Sequence, residues 1–141
     1  MKRLACVLIL GVLYTGYASA AKVDAREIVP LPDMMRQHML GNMRDHLAAL
    51  HDILSALAQG ELDGAGDVAE QRIGMSSLLA HGASSMAPHM PKGMHAIGTE
   101  MHRAASRFAV VASEGDLQQA LAGLAQVTQQ CVACHAAYRV Y

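Results

Sequence analysis

The chain has 141 residues, with 11 Lys plus Arg against 12 Asp plus Glu; 52% of its residues are hydrophobic and 4% aromatic. That length suits one domain around a single core, so no second domain is expected. A balance without basic excess excludes the cationic face that a nucleic-acid partner requires.

Residues 1–20 read "MKRLACVLILGVLYTGYASA". Lys2 and Arg3 precede an apolar run that begins at Leu4, and the small residues Ala18, Ser19 and Ala20 follow. This is the pattern of a secretory signal peptide cleaved near Ala20/Ala21, which implies export to the periplasm. The apolar run of roughly 11 residues is well short of the ~20 needed to cross a bilayer, so no stable membrane anchor is expected. Cleavage would remove Cys6, two basic residues and no acidic ones, leaving Cys131 and Cys134 as the only cysteines and a formal charge near minus three. In an oxidising compartment each of these cysteines would have only the other as a partner.

Beyond the signal, residues 21–32 form an extended lead that ends in "VPLP", where Pro30 and Pro32 hold the backbone out of the helical region. Helical periodicity then fills 33–141, and no segment shows sustained strand alternation. The first helix starts near Asp33, which can cap it, and stops at Gly60. Met39, Met43, His46, Leu50, Ile53 and Leu57 form its buried stripe, widened by Met35, Leu47 and Leu54. A weaker second helix covers about Ala65 to Ala80, with Val68, Ile73 and Leu78 or Leu79 inward. The stretch "HGASSMAPHMPKG" is a connection. A third helix spans about Lys92 to Ser113, with Met94, Ile97, Met101, Ala105, Phe108 and Ala112 on one side. The fourth begins after the cap Asp116 and continues almost to the end, its seam passing through Leu117, Leu121, Leu124, Thr128, Cys131, His135 and Tyr138. The expected fold is all-α, an antiparallel up-down-up-down four-helix bundle. That arrangement would bring Met35 to Met43 opposite Cys131 to His135.

The chemistry concentrates in "CVACHAAYRVY". On a helix, Cys131 and Cys134 point to one side a turn apart, and His135 lies directly over Cys131. Two thioethers could hold one edge of a porphyrin while the imidazole reaches its iron, and Cys-x-x-Cys-His is the attachment signature of haem c. A zinc site would need two further ligands at matched spacing, and no second pair exists. A thioredoxin-like dithiol belongs at a helix N-terminus, where the dipole lowers its pKa, and this pair sits near a C-terminus. A plain disulfide is the remaining rival. Nine methionines after cleavage, against one Phe and no Trp, suit packing around a flat macrocycle as well as ordinary core filling.

A helical chain with one Cys-x-x-Cys-His in its last helix resembles the class II cytochromes c, cytochrome c′ and cytochrome c-556. "CVACHAAYR" is similar to that family's Cys-x-x-Cys-His-x-x-Tyr-Arg, with Tyr138 and Arg139 at matching places, and "RQHMLGNM" is similar to its Arg-Gln and Asn-Met elements, compressed. The likeness spans about residues 30–141. It implies one covalent haem c on Cys131 and Cys134, with His135 as proximal iron ligand, Arg139 near the imidazole, Arg36 as a propionate partner and Gln37 beside it. Solvated surface roles are the alternative for Arg36, Gln37 and Arg139.

The family divides at the iron's sixth position. A Met ligand gives a low-spin electron carrier, and an apolar blocker leaves a five-coordinate site for NO or CO. Counting from Arg36 and Gln37 favours Met39, whereas counting back from Asn42 and Met43 favours Met35; His38 is a third, surface-like option. The expected function is single-electron transport without catalysis, with redox proteins as partners and a homodimer possible through an Ala- and Leu-rich face of the first two helices. From a different class comes copper binding by the segment 81–102, which holds His81, Met86, His89, Met90, Met94, His95, Met101 and His102. Its alternative is that these methionines fill the core while the histidines face outward.

Overall fold

A computed structural model describes residues 23–141; the expected signal peptide, with Cys6, lies outside the described residues. Five helices make up most of the fold: α1 (Asp33–Gln59), α2 (Leu62–Arg72), the single turn α3 (Ala83–Met86), α4 (Lys92–Ser113) and α5 (Leu117–Ala137). The class is all-α, with one departure from expectation. Strands β1 (Glu27–Val29) and β2 (Tyr138–Val140) pair in parallel, Glu27 opposite Tyr138 and Val29 opposite Val140. The last helix therefore ends at Ala137, immediately before Tyr138, and β-branched and aromatic side chains suit the extended form that replaces it. Val29, the last residue of β1, is wholly buried.

Local signals set the helix ends. Pro32, rather than Asp33, occupies the cap position of α1; its carbonyl receives the Arg36 N–H at 2.9 Å, and Asp33 pairs with the Arg36 guanidinium at 2.9 Å. Gly60 closes α1 with φ 78°, a left-handed conformation that lets its N–H return to the Leu57 carbonyl. Asp116 caps α5 by accepting the Gln119 N–H at 3.1 Å.

Helix α2 is shorter than the expected 65–80 because of Gly74. A Cβ there would stand 2.7 Å from the Glu70 carbonyl oxygen and 2.8 Å from its Cα. The chain turns out of the helix at this point, and side chains take up the freed donors. Ser106 Oγ accepts the Met75 N–H at 2.9 Å, and Glu70 accepts the Ser76 N–H at 3.1 Å. Leaving the helix also frees the Ile73 carbonyl, which matters for the site below.

The helices pack in the order α1 on α2, α2 on α4 and α4 on α5. Small residues permit the close α2–α4 contact: Ala65, Ala69, Ala105 and Ala112 are buried, and a Cβ on Gly66 would meet the Ala109 carbonyl oxygen at 3.0 Å. Phe108, Ile53, Ile73 and Val127 fill the centre. Arg72 ties α2 to α1 through Asp45 and Asp52.

The expected stripes hold for Ile53, Leu57, Met94, Met101 and Phe108, but Leu47, Leu54, Leu117, Leu121 and Leu79 are exposed. The buried face of α5 is Ala120, Leu124 and Val127, with the partly buried Cys131 packed against it. Phe108 of α4 lies against Gly123 on this side of α5.

Candidate haem site

Helices α1 and α5 share the walls of a cavity rather than a packed seam. It measures about 400 Å³, within the ~300–1,000 Å³ common for cofactor sites. Helix α5 contributes Cys131, Cys134 and His135; α1 contributes Met39, Met43 and His46. The connection after α2 adds His81, Met86 and Met90, and α4 adds His95, Met101 and His102. Most of the lining is apolar.

Cys131 and Cys134 are half-buried free thiols. Burial raises the pKa of both, and for Cys134 the neighbouring Cys131 adds to the shift. A redox dithiol needs the opposite, a thiolate stabilised by a helix N-terminus or a nearby cation. These thiols stay protonated at neutral pH and face an apolar cavity large enough for a flat ligand. His135 is exposed on one side and lines the cavity on the other. The motif fits covalent haem: two thiols and an imidazole on one turn, opening on one apolar cavity.

Around the motif, the ends of the chain brace the last turn of α5. Arg26 donates to the His135 carbonyl oxygen at 3.4 Å, a cation at a helix C-terminus, and also pairs with Asp24 at 2.7 Å. Arg139 bonds the same Asp24 at 3.2 Å and lies 4.8 Å from the Tyr141 ring centroid. It belongs to β2, so it does not stand one helical turn beyond His135, and Asp24 compensates its charge.

On the opposite wall, the structure separates the two methionines proposed as distal ligands. Met39 is buried and lines the cavity. Met35 faces away from it, into a second pocket with Met34 and His38, and packs against the cluster of Val29, Leu31 and Met86. The expectation that the whole run from Met35 to Met43 faces Cys131 is corrected on this point: α1 turns Met35 past the cavity's edge. Gln37 is exposed, and neither Arg36, Gln37 nor Arg139 lines the cavity.

The expectation of outward-facing histidines is overturned at two positions. His81 and His102 are 8% exposed, and with His46 at 5% they form a buried cluster. The periodicity of α1 puts His46 on its buried stripe and gives it no chemical role. The available signal was a histidine at a core position of α1 in a chain with two more in the stretch that folds over it. His102 donates through Nδ1 to the Ile73 carbonyl oxygen, and His46 Nε2 stands 3.5 Å from His81 Nδ1. Burial is the largest cause lowering all three imidazole pKa values, and mutual repulsion adds to it for His46 and His81; His46 falls to about 4. The cluster is neutral at pH 7. His89 and His95 are exposed.

A family model described as Cytochrome C' matches residues 89–139, from the end of the connection to β2. No curated protein and no solved structure matches the chain. The matched segment carries α4, α5 and the Cys131, Cys134 and His135 that open on the cavity, so over this stretch the chain is similar to the cytochrome c′ family, which supports a class II cytochrome c that binds haem.

Proposed function

We propose that the protein is an exported, periplasmic monohaem cytochrome that passes single electrons between redox proteins and performs no catalysis of its own. The observation that carries this reading is that Cys131, Cys134 and His135 of α5 line one cavity with Met39 of α1. Cys131 and Cys134 would anchor the haem by thioether bonds, His135 would ligate iron from the proximal side and Met39 from the distal side. When bound, haem supplies a one-electron iron couple whose potential follows its axial ligands and burial. The outer side of the motif helix faces solvent, with Val132 69% exposed, which gives a partner protein an approach to the anchored edge.

The optical spectrum of the purified protein tests the reading. A low-spin reduced spectrum with a ferric methionine-to-iron charge-transfer band supports the carrier. A high-spin spectrum that shifts with CO defeats it in favour of a five-coordinate, gas-binding protein, and absence of covalent haem defeats both.

A further inference from the structure

We infer that His46, His81 and His102 form a second metal site, for copper(I), in the wall of the haem cavity. The three rings come from three different parts of the fold: α1, the connection after α2, and α4. Each is more than nine-tenths buried. Imidazole nitrogens sharing an ion at ~2.0–2.1 Å stand about 3.3–3.6 Å apart, and their ring centroids about 5–6 Å apart. His46 Nε2 and His81 Nδ1 stand 3.5 Å apart, and the three centroid separations are 4.7, 5.4 and 6.0 Å.

Hydrogen bonding points the same way. His102 gives its Nδ1–H to the Ile73 carbonyl, which leaves the Nε2 lone pair free and fixes the ring, the usual outer-shell arrangement of a metal-bound histidine. His81 Nδ1 also stands 3.2 Å from the buried Ser77 Oγ, whereas His46 Nδ1 is buried without a partner. An orphaned polar atom in a native interior calls for an explanation.

Among the described residues, no three His, Cys, Asp or Glu side chains already converge as a metal site. Binding an ion therefore requires the His46 and His81 rings to turn toward the tethered His102, with His81 Nδ1 giving up its contact with Ser77 Oγ. No free carboxylate stands in the cluster, since Asp45 is held by Arg72. Met43 and Met101 share the cavity wall, and a set of imidazoles with thioethers nearby suits soft copper(I) better than hard cations.

The test rests on the haem reading in one respect, because thioether formation would remove Cys131 and Cys134 as competing copper ligands. Holoprotein is titrated with a cuprous salt under anaerobic conditions against a chromophoric copper(I) chelator. One equivalent should bind, and His81→Gln and His102→Gln should each weaken binding at least tenfold while His89→Gln leaves it unchanged. X-ray absorption at the copper edge of the wild-type complex should show imidazole scattering. The inference is overturned by no retained copper, by unchanged affinity in both variants, by a sulfur-only shell, or by a haem spectrum that loses an imidazole ligand in His102→Gln. Haem staining of a denaturing gel reads the haem proposal separately. If that stain is blank, the same titration on protein with both thiols alkylated still decides the copper site.

Discussion

His102 Nδ1 lies 2.5 Å from the carbonyl oxygen of Ile73, so a side chain of α4 takes up an acceptor that α2 releases where it ends. The break at Gly74 and the orientation of a cavity histidine are thus one structural event. Gly74→Ala should destabilise the protein by about 1–3 kcal/mol, because its methyl would press on Glu70 backbone that cannot move away cheaply. Urea unfolding measures the cost, and an unchanged midpoint would show that the turn adapts freely.

Stability should fall in mild acid. Burial, then repulsion from His81 and His102, holds His46 near pKa 4 against its ordinary 6.5, with Arg72 acting in the same direction and Asp45 opposing. The unfolded chain binds this proton first, so stability is complete above pH 6.5 and declines as pH drops from there toward 4. His46 alone contributes on the order of 3 kcal/mol of this loss. Denaturant curves at pH 7.5 and pH 5 should differ, and His46→Gln should show a visibly smaller difference.

Met39→Leu should abolish the ferric methionine-to-iron charge-transfer band and let CO bind, whereas Met35→Leu should leave the spectrum as it is. The contrast follows from the cavity-facing position of Met39 and the outward turn of Met35. Spectra of the two variants that respond alike would refute the distal assignment.

Replacing both Cys131 and Cys134 with Ala should yield protein without haem on a denaturing gel. Either single variant should retain one thioether at most, with a shifted reduced band. Haem retained covalently by the double variant would place the attachment elsewhere.

Phe108→Ala should cost about 3–5 kcal/mol, the range for emptying a well-packed aromatic site. Phe108 is 1% exposed and lies against Gly123 of α5. Thermal unfolding gives the comparison, and a shift of only a degree or two would mean that the core collapses into the space.

Much of this was legible in the residues. Gly60 and Asp116 act as their chemistry dictates, because caps and left-handed turns are local. The Cys131 to His135 spacing specified one face of one helix, also local information. What pattern could not supply was the choice among apolar residues. Leu117 and Leu121 look like core, and Ala120 looks neutral, until the closeness of α4 decides that the smaller side chain goes inside. Likewise, His81 and His102 read as surface residues because imidazoles usually are, and the placing of His102 depends on a carbonyl released beside a glycine many positions away. The ribbon escaped notice because three-residue strands leave no periodicity, and each exists only through the other.

That ribbon also divides the molecule in time. Helical contacts form among near neighbours, whereas Arg26 and His135, joined beside the strands, are 109 positions apart in the chain. Closing so long a loop is slow compared with winding a helix. The strands are therefore the last part to assemble and the first to fray, and hydrogen exchange should find Val29 and Val140 unprotected while the centre of α4 is still closed. On this expectation the ribbon, which joins the two ends of the chain beside the motif helix, is the part that opens before the helices do.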